Sequence, residues 1–203
     1  MSVLPRRNKF KAALITGGSA DKYAPLFDGL TQYVQLSEVI SIPVGVDFEI
    51  SVVASGIPAD AQYSIMSGPS IADFYRTRTA NDGIQTSLAG TYGLNWTGAN
   101  NDTLLKHKYA LKRVGEDISI AVDGIERSTR STTVGTIAID RLMRSWTSSI
   151  YTAGVVYSLE VSIGGLITTS IAFNQRNAAV QLPAVGTISA TIVNHTNAMW
   201  VKV

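Results

Sequence analysis

A chain of 203 residues without cysteine is long enough to bury a core of its own, and it has no disulfide framework or thiolate metal cluster. Charged residues are 16% of the composition, below the roughly 25% typical of globular domains, and the net charge of +2 is too small for a nucleic-acid footprint. Its apolar runs all fall short of the ~18 residues that a membrane helix needs, so neither nucleic acid nor membrane is an expected partner.

Basic residues gather at the start, where Arg6, Arg7, Lys9, Lys11 and Lys22 meet only Asp21. The apolar run Ala12-Ala13-Leu14-Ile15 is too short for a signal peptide and ends at Gly17-Gly18. Residues 1–25 therefore read as an extended basic arm, and 26–203 as one domain. From there the pattern has period two, which sends alternate side chains to opposite faces of a strand. A strand is expected near Gln32–Leu36, and Asp47-Phe48-Glu49-Ile50-Ser51-Val52 alternates cleanly. Shorter strands are expected near Tyr63–Ser67, Ile71–Tyr75 and Ile84–Leu88. Tyr109 to Val114, Asp117 to Val122 and Ile125 to Arg127 form a meander whose turns are Gly115-Glu116 and Asp123-Gly124. Gly and Asp tolerate the positive φ of such turns. Thr136–Asp140 follows. In Val155–Ile163 every odd position is apolar and three of the four even ones are polar, a sorting that a helix would scramble. Leu166–Phe173, Thr187–Val193 and Trp200–Val203 complete the set. No amphipathic helix exceeds two turns, and no linker or fixed-period repeat divides the chain. Many short strands with regular turns imply an all-β sandwich or barrel.

Particular residues then point to a family. Phe27-Asp28-Gly29, Tyr33-Val34-Gln35-Leu36, Ile42-Pro43 and Asp47-Phe48-Glu49-Ile50-Ser51 resemble the opening strands of laminin-G/concanavalin-A-like domains. His107-Lys108-Tyr109-Ala110-Leu111 and Ile118-Ser119-Ile120-Ala121-Val122-Asp123-Gly124 resemble the central meander of that family, and Gly154-Val155-Val156-Tyr157-Ser158-Leu159-Glu160-Val161 its return strand. The resemblance spans roughly Phe27 to Ile163. It implies a two-sheet antiparallel β-sandwich, a concanavalin-A-like jelly roll, and leaves activity open, because this fold hosts lectins, hydrolases, adhesion modules and virion proteins. Ile192-Val193-Asn194-His195-Thr196 with Trp200 resembles the close of such domains in tailed-phage structural proteins.

Glycoside hydrolysis needs two carboxyl groups ~5–5.5 Å or ~6.5–9.5 Å apart. The Glu-x-Asp-x-x-Glu run of glucanases with this fold is missing, and Glu116, Asp117, Asp123 and Glu126 bracket hairpin turns, where turn formation and solvation explain them. His107, between Lys106 and Lys108, fits a solvated strand edge and His195 a turn; no nucleophile elbow accompanies them. A zinc site finds no support in two scattered histidines. The reading is non-enzymatic, with no catalytic residue and no required cofactor. Calcium, common in the family, has oxygen ligands on offer at Asn100-Asn101-Asp102 and Asp82, but one loop carboxylate falls short of its usual demand.

Carbohydrate recognition uses aromatic faces with amide and carboxylate partners. The candidate ligand residues are Tyr92, Asn95, Trp96, Asn100, Asn101 and Asp102 in one Gly- and Asn-rich stretch, and Trp146 in the segment Arg144-Ser145-Trp146. Trp96 fits a sugar platform and a core plug alike, whereas for Trp146 the core plug is the favoured reading. The expected function is a virion structural protein of a tailed phage, a capsid decoration, head-fibre or tail-appendage subunit that displays a lectin-like sandwich to host cell-surface polysaccharide. Arg6, Arg7, Lys9, Phe10 and Lys11 would dock on other virion proteins, with self-association favouring a trimer and the virion surface as location. The alternative is a free carbohydrate-binding lectin module of bacterial origin.

Overall fold

Alternating polar and apolar residues can bury one side of a ribbon only by pairing it into a sheet and stacking that sheet on another. The computed structural model describes residues 22–58, 62–70, 73–78, 83–89, 91–96, 103–131, 135–147 and 149–203. In chain order the strands are β1 (Tyr23–Asp28), β2 (Tyr33–Ile42), β3 (Phe48–Ser55), β4 (Ser64–Ser67), β5 (Phe74–Arg78), β6 (Gly83–Leu88), β7 (Thr91–Trp96) and β8 (His107–Val114). They continue as β9 (Asp117–Val122), β10 (Ile125–Ser131), β11 (Ile137–Leu142), β12 (Ala153–Ile163), β13 (Leu166–Ala172), β14 (Val180–Gln181), β15 (Ala190–Val193) and β16 (Trp200–Lys202). The one helical turn among the described residues, Asn197–Met199, is a single 3-10 turn.

Two sheets result. Sheet I has the order β10-β9-β8-β3-β12-β1-β16, with β13 also paired to β12; sheet II has the order β14-β15-β2-β11-β4-β5-β6-β7. Every pairing between the named strands is antiparallel. The chain is an all-β, two-sheet antiparallel sandwich. Ile50, Val52, Leu111, Ile120, Leu159 and Val161 of sheet I face Val34, Ile42, Met66, Ile84, Leu142 and Ile192 of sheet II in one core. Tyr75 of sheet II and Tyr109 of sheet I meet edge-on across it, with ring centroids 6.2 Å apart.

Irregularities in register shape the surface. In β12 the pairing slips between Val156 and Ser158, so Tyr157 does not share the inward face of Leu159 as strict alternation implies. Its hydroxyl instead lies 3.0 Å from Ser55 Oγ. In β11 the slip falls between Ile139 and Arg141, which puts the neighbours Asp140 and Arg141 together as an ion pair. At the sandwich end Arg113 is buried, donating to the Pro43 carbonyl at 3.1 Å and lying 5.5 Å from the Phe48 ring. Burial pulls its pKa down, and the Asp47 charge opposes that. Gly154 (φ +135°) sits where β1 and β3 both flank β12; a Cβ there would stand 2.7 Å from the Ser55 carbonyl oxygen.

Several expectations need correction. β1 begins at Tyr23 and takes in the last residues of the segment read as an arm. β2 runs on to Ile42, carrying exposed Ser37, Glu38 and Val39 out of register on the way. β5 starts at Phe74, later than the expected Ile71. The Gly- and Asn-rich stretch from Tyr92, where no strand was expected, opens as β7. It pairs with β6 because Gly93 allows close approach: a Cβ there would sit 2.9 Å from Thr86 Oγ1, which accepts a hydrogen bond from the Leu94 N–H at 3.2 Å.

Candidate functional site

The outer face of sheet II gathers aromatic and amide side chains beside one loop. Parity places Tyr33 and Gln35 there, since Val34 and Leu36 between them are buried. Gln35 pairs in register with Arg141, and Arg141 with Ser67. One strand further on, Arg76 faces outward next to buried Tyr75, then Gln85 and Asn95 follow in the same row.

After β11 the chain leaves sheet II through Met143, which adopts φ 60°, and makes a short excursion before entering β12. Arg144 and Tyr151 form a β-bridge at its base. The Ser145 N–H donates to the Ile150 carbonyl at 2.9 Å and the Thr152 N–H to the Met143 carbonyl at 2.9 Å. Two side chains pin this loop to β4: Ser67 Oγ donates to the Arg144 carbonyl at 2.6 Å, and Thr152 Oγ1 to the Ser64 carbonyl at 2.8 Å. The loop therefore folds over the outer face instead of projecting away from it.

Its side chains meet those of the sheet. The Tyr33 and Tyr151 rings are tilted at 54° with centroids 6.1 Å apart. The Arg144 guanidinium lies over both, 4.5 Å from the Tyr33 centroid and 5.3 Å from that of Tyr151. Trp146 is half-buried, with the Arg76 guanidinium 6.0 Å from its ring; Arg76 also donates to Gln85 Oε1 through Nε (3.1 Å) and Nη2 (2.7 Å). Arg141 and Asp140 form a bidentate pair at 2.7 and 2.8 Å. That hydrogen bonding raises the Arg141 pKa against the opposing effect of burial. Gln35 Nε2 donates to the Asp140 carbonyl at 2.9 Å. The patch thus offers tilted aromatic rings, a stacked cation and amides, the groups that hold a polyhydroxylated ligand by its C–H faces and hydroxyl edges.

The structure separates the sequence candidates. Trp146 and Asn95 lie on the outer face of sheet II. Trp96 is in register with fully buried Ile84 and faces inward. It packs against the core where β7 meets β10, under the Arg127 guanidinium at 4.8 Å. The backbone of Tyr92 pairs with Ser87. Asn100, Asn101, Asp102 and Asp82, with the calcium reading they carry, lie outside the described residues, as do Arg6, Arg7, Lys9, Phe10 and Lys11. Tyr33, Tyr151 and Arg144 were not candidates on sequence. Strand parity around Val34 and Leu36 signals Tyr33, but the pairing with a residue so distant in the chain has no local signature.

The carboxylates of the meander do not come together. Asp117, just after Glu116, opens β9 and Asp123 follows its far end, about 20 Å away at ~3.3 Å per residue, while Glu126 pairs with Ala121, about 13 Å along the strand from Asp117. Both distances are beyond the ~9.5 Å limit for paired glycosidase carboxyls. Glu126 accepts a hydrogen bond from Thr129 Oγ1. His107 departs from a solvated edge: it is half-buried, with Nδ1 2.6 Å from Asp123 Oδ2 and its ring against Tyr109 at 6.0 Å. His195 Nε2 accepts the Trp200 indole N–H at 3.0 Å.

No protein-family model matches the sequence, and no curated protein matches it either. Solved structures do. The chain is similar to a candidate carbohydrate-binding protein from Bacteroides ovatus ATCC 8483, with a TM-score of 0.58 at 13% identity over 86% of this chain and 60% of that one. It is also similar to domains LG4-5 of the mouse laminin α1 chain, with a TM-score of 0.53 at 13% identity over 83% of this chain and 47% of that one. The chain therefore spans about half to three-fifths of the length of these neighbours. The likeness is one of fold: this is a β-sandwich of laminin-G-like architecture.

Proposed function

We propose that this chain is a non-catalytic saccharide-recognition domain, and that the outer face of sheet II beside the Arg144–Tyr151 loop holds the sugar. The observation that carries the reading is the convergence of Tyr33, Tyr151 and Trp146, all half-buried, on one polar sheet face with Gln35, Gln85 and Asn95. Aromatic rings left partly open on a surface stack against sugar C–H faces, while amides bond the hydroxyls. The fold shared with a candidate carbohydrate-binding protein supports the same reading, and the separation of the meander carboxylates argues against hydrolysis. Binding to an immobilised oligosaccharide panel tests it. Trp146→Ala and Tyr151→Ala should each weaken binding about tenfold, the scale of one lost aromatic contact, with unchanged circular dichroism. Wild-type affinity in both variants would remove the face from consideration.

The setting proposed for this face is display on a phage particle, with residues 1–21 as the attachment segment. Lys22 enters the fold at the edge of sheet I, where its carbonyl accepts the Val203 N–H at 2.9 Å. Attachment at that edge leaves sheet II uncovered. Removal of residues 1–21 should abolish particle attachment and preserve sugar binding; particles decorated by the shortened chain would refute the assignment.

A further inference from the structure

Arg144 differs from the other arginines on this face in what surrounds it. Arg141 is neutralised by Asp140, and Arg76 is held by Gln85. The Arg144 guanidinium has two aromatic rings and no acceptor among the described residues. Its Nε is buried without a hydrogen-bond partner among the described residues. A buried polar group left unpaired in this way is costly and rare in native proteins. The residue is only partly buried as a whole, so its terminal Nη groups are the part that reaches solvent. The same short loop leaves the Thr147 hydroxyl buried and without a partner among the described residues. Stacking on Tyr33 and Tyr151 fixes the guanidinium plane and holds the cation without neutralising its charge. A planar cation whose rotamer is already fixed loses little entropy when an anion arrives.

We infer that Arg144 receives an oxyanion of the ligand, so that the saccharide bound here is acidic, bearing a carboxylate or a sulfate. Because Nε is closed off, the anion docks end-on across the two Nη groups, in the bidentate geometry that suits a guanidinium. This inference rests on the proposed saccharide site and adds the chemical class of its ligand. Asn95, Gln85 and Gln35 bond hydroxyls; Arg144 supplies a guanidinium that has no hydrogen-bond acceptor among the described residues, whereas Arg141 is paired with Asp140 and Arg76 with Gln85.

The test is calorimetry of the full chain with four probes: oligogalacturonate, its carboxyl-reduced form, sulfated oligogalactan and its desulfated form. The wild type should bind at least one charged probe about tenfold more tightly than its neutral counterpart, the scale of a single charge-assisted contact. Preference for the uronate assigns a carboxylate and preference for the sulfated probe assigns a sulfate ester. Arg144→Gln should erase that preference, and Arg144→Lys, which keeps charge but not the planar fork, should reduce it severalfold. Equal binding of charged and neutral probes would overturn the inference while leaving the saccharide site standing. A preference that survives unchanged in both variants would overturn the role of Arg144. Binding of none of the four would sink the site and the inference together.

Discussion

Asp123 sits at φ 52° in the tight turn between β9 and β10, a conformation that Asp and Asn tolerate better than other side chains with a Cβ. Its carboxylate accepts the Lys108 N–H at 2.8 Å and lies 2.6 Å from His107 Nδ1. Partial burial pushes its pKa up, but these hydrogen bonds, with the charges of His107 and Arg127, outweigh burial and hold it below the ordinary carboxylate value. Glu49 behaves alike: burial raises it, and Lys108 and Lys112, at 2.9 and 3.0 Å, bring it down. A carboxyl depressed in the folded state stabilises above its unfolded pKa and loses that contribution as pH falls through its folded value. Asp73 acts in the opposite sense, since burial outweighs the N–H groups of Ala89 and Ala138 and raises its pKa. Asp28 is also depressed, because the burial that raises it is outweighed by the N–H groups of Thr31, Leu30 and Gln32. With three depressed groups against Asp73, the melting temperature should hold steady from neutrality to about pH 4 and fall below that. In Asp123→Asn, which keeps the turn, the acid fall should be shallower. A melting curve as steep as that of the wild type would show that Asp123 carries none of the acid sensitivity.

Among elements, β7 shows what composition hides. Tyr92-Gly93-Leu94-Asn95-Trp96 is rich in turn residues, and a glycine in a strand usually weakens it. Here Gly93 is what lets β7 lie close to Thr86, while buried Leu94 and half-buried Trp96 alternate with exposed Asn95. The alternation was in the sequence but was masked by Gly and Asn. The strands β8, β9 and the Leu159–Ile163 half of β12 were legible because their residues agree with their neighbours. The slips at Tyr157 and Asp140 were not, since a bulge is decided by the partner strand. Trp96 closes the gap between β7 and β10, so Trp96→Ala should cost about 2–3 kcal/mol, somewhat under a fully buried tryptophan. Saccharide affinity should stay unchanged. A lowered denaturant midpoint with intact binding is the expected pair of readings; lost binding at unchanged stability would move the site to β7.

For the whole molecule, the two sheets divide the work. Sheet I receives the chain at Lys22 and ends it beside Val203, while the outer face of sheet II carries a patch assembled from β2, β5, β6, β7 and the loop before β12. Of that patch the sequence marked Trp146 and Asn95, whose aromatic and amide character is local. It could not mark the meeting of Tyr33 with Tyr151 under Arg144, which exists only once β2 and the loop lie side by side over sheet II. The three tryptophans separate these roles, because Trp96 faces the core edge, Trp200 donates to His195 and Trp146 lies on the proposed face. Each contributes one indole N–H signal to a nitrogen-15 NMR spectrum. Titration with an acidic oligosaccharide that the full chain binds should shift the Trp146 indole and leave the other two in place. Movement of the Trp96 or Trp200 indole with Trp146 unmoved would contradict the assignment of the binding face.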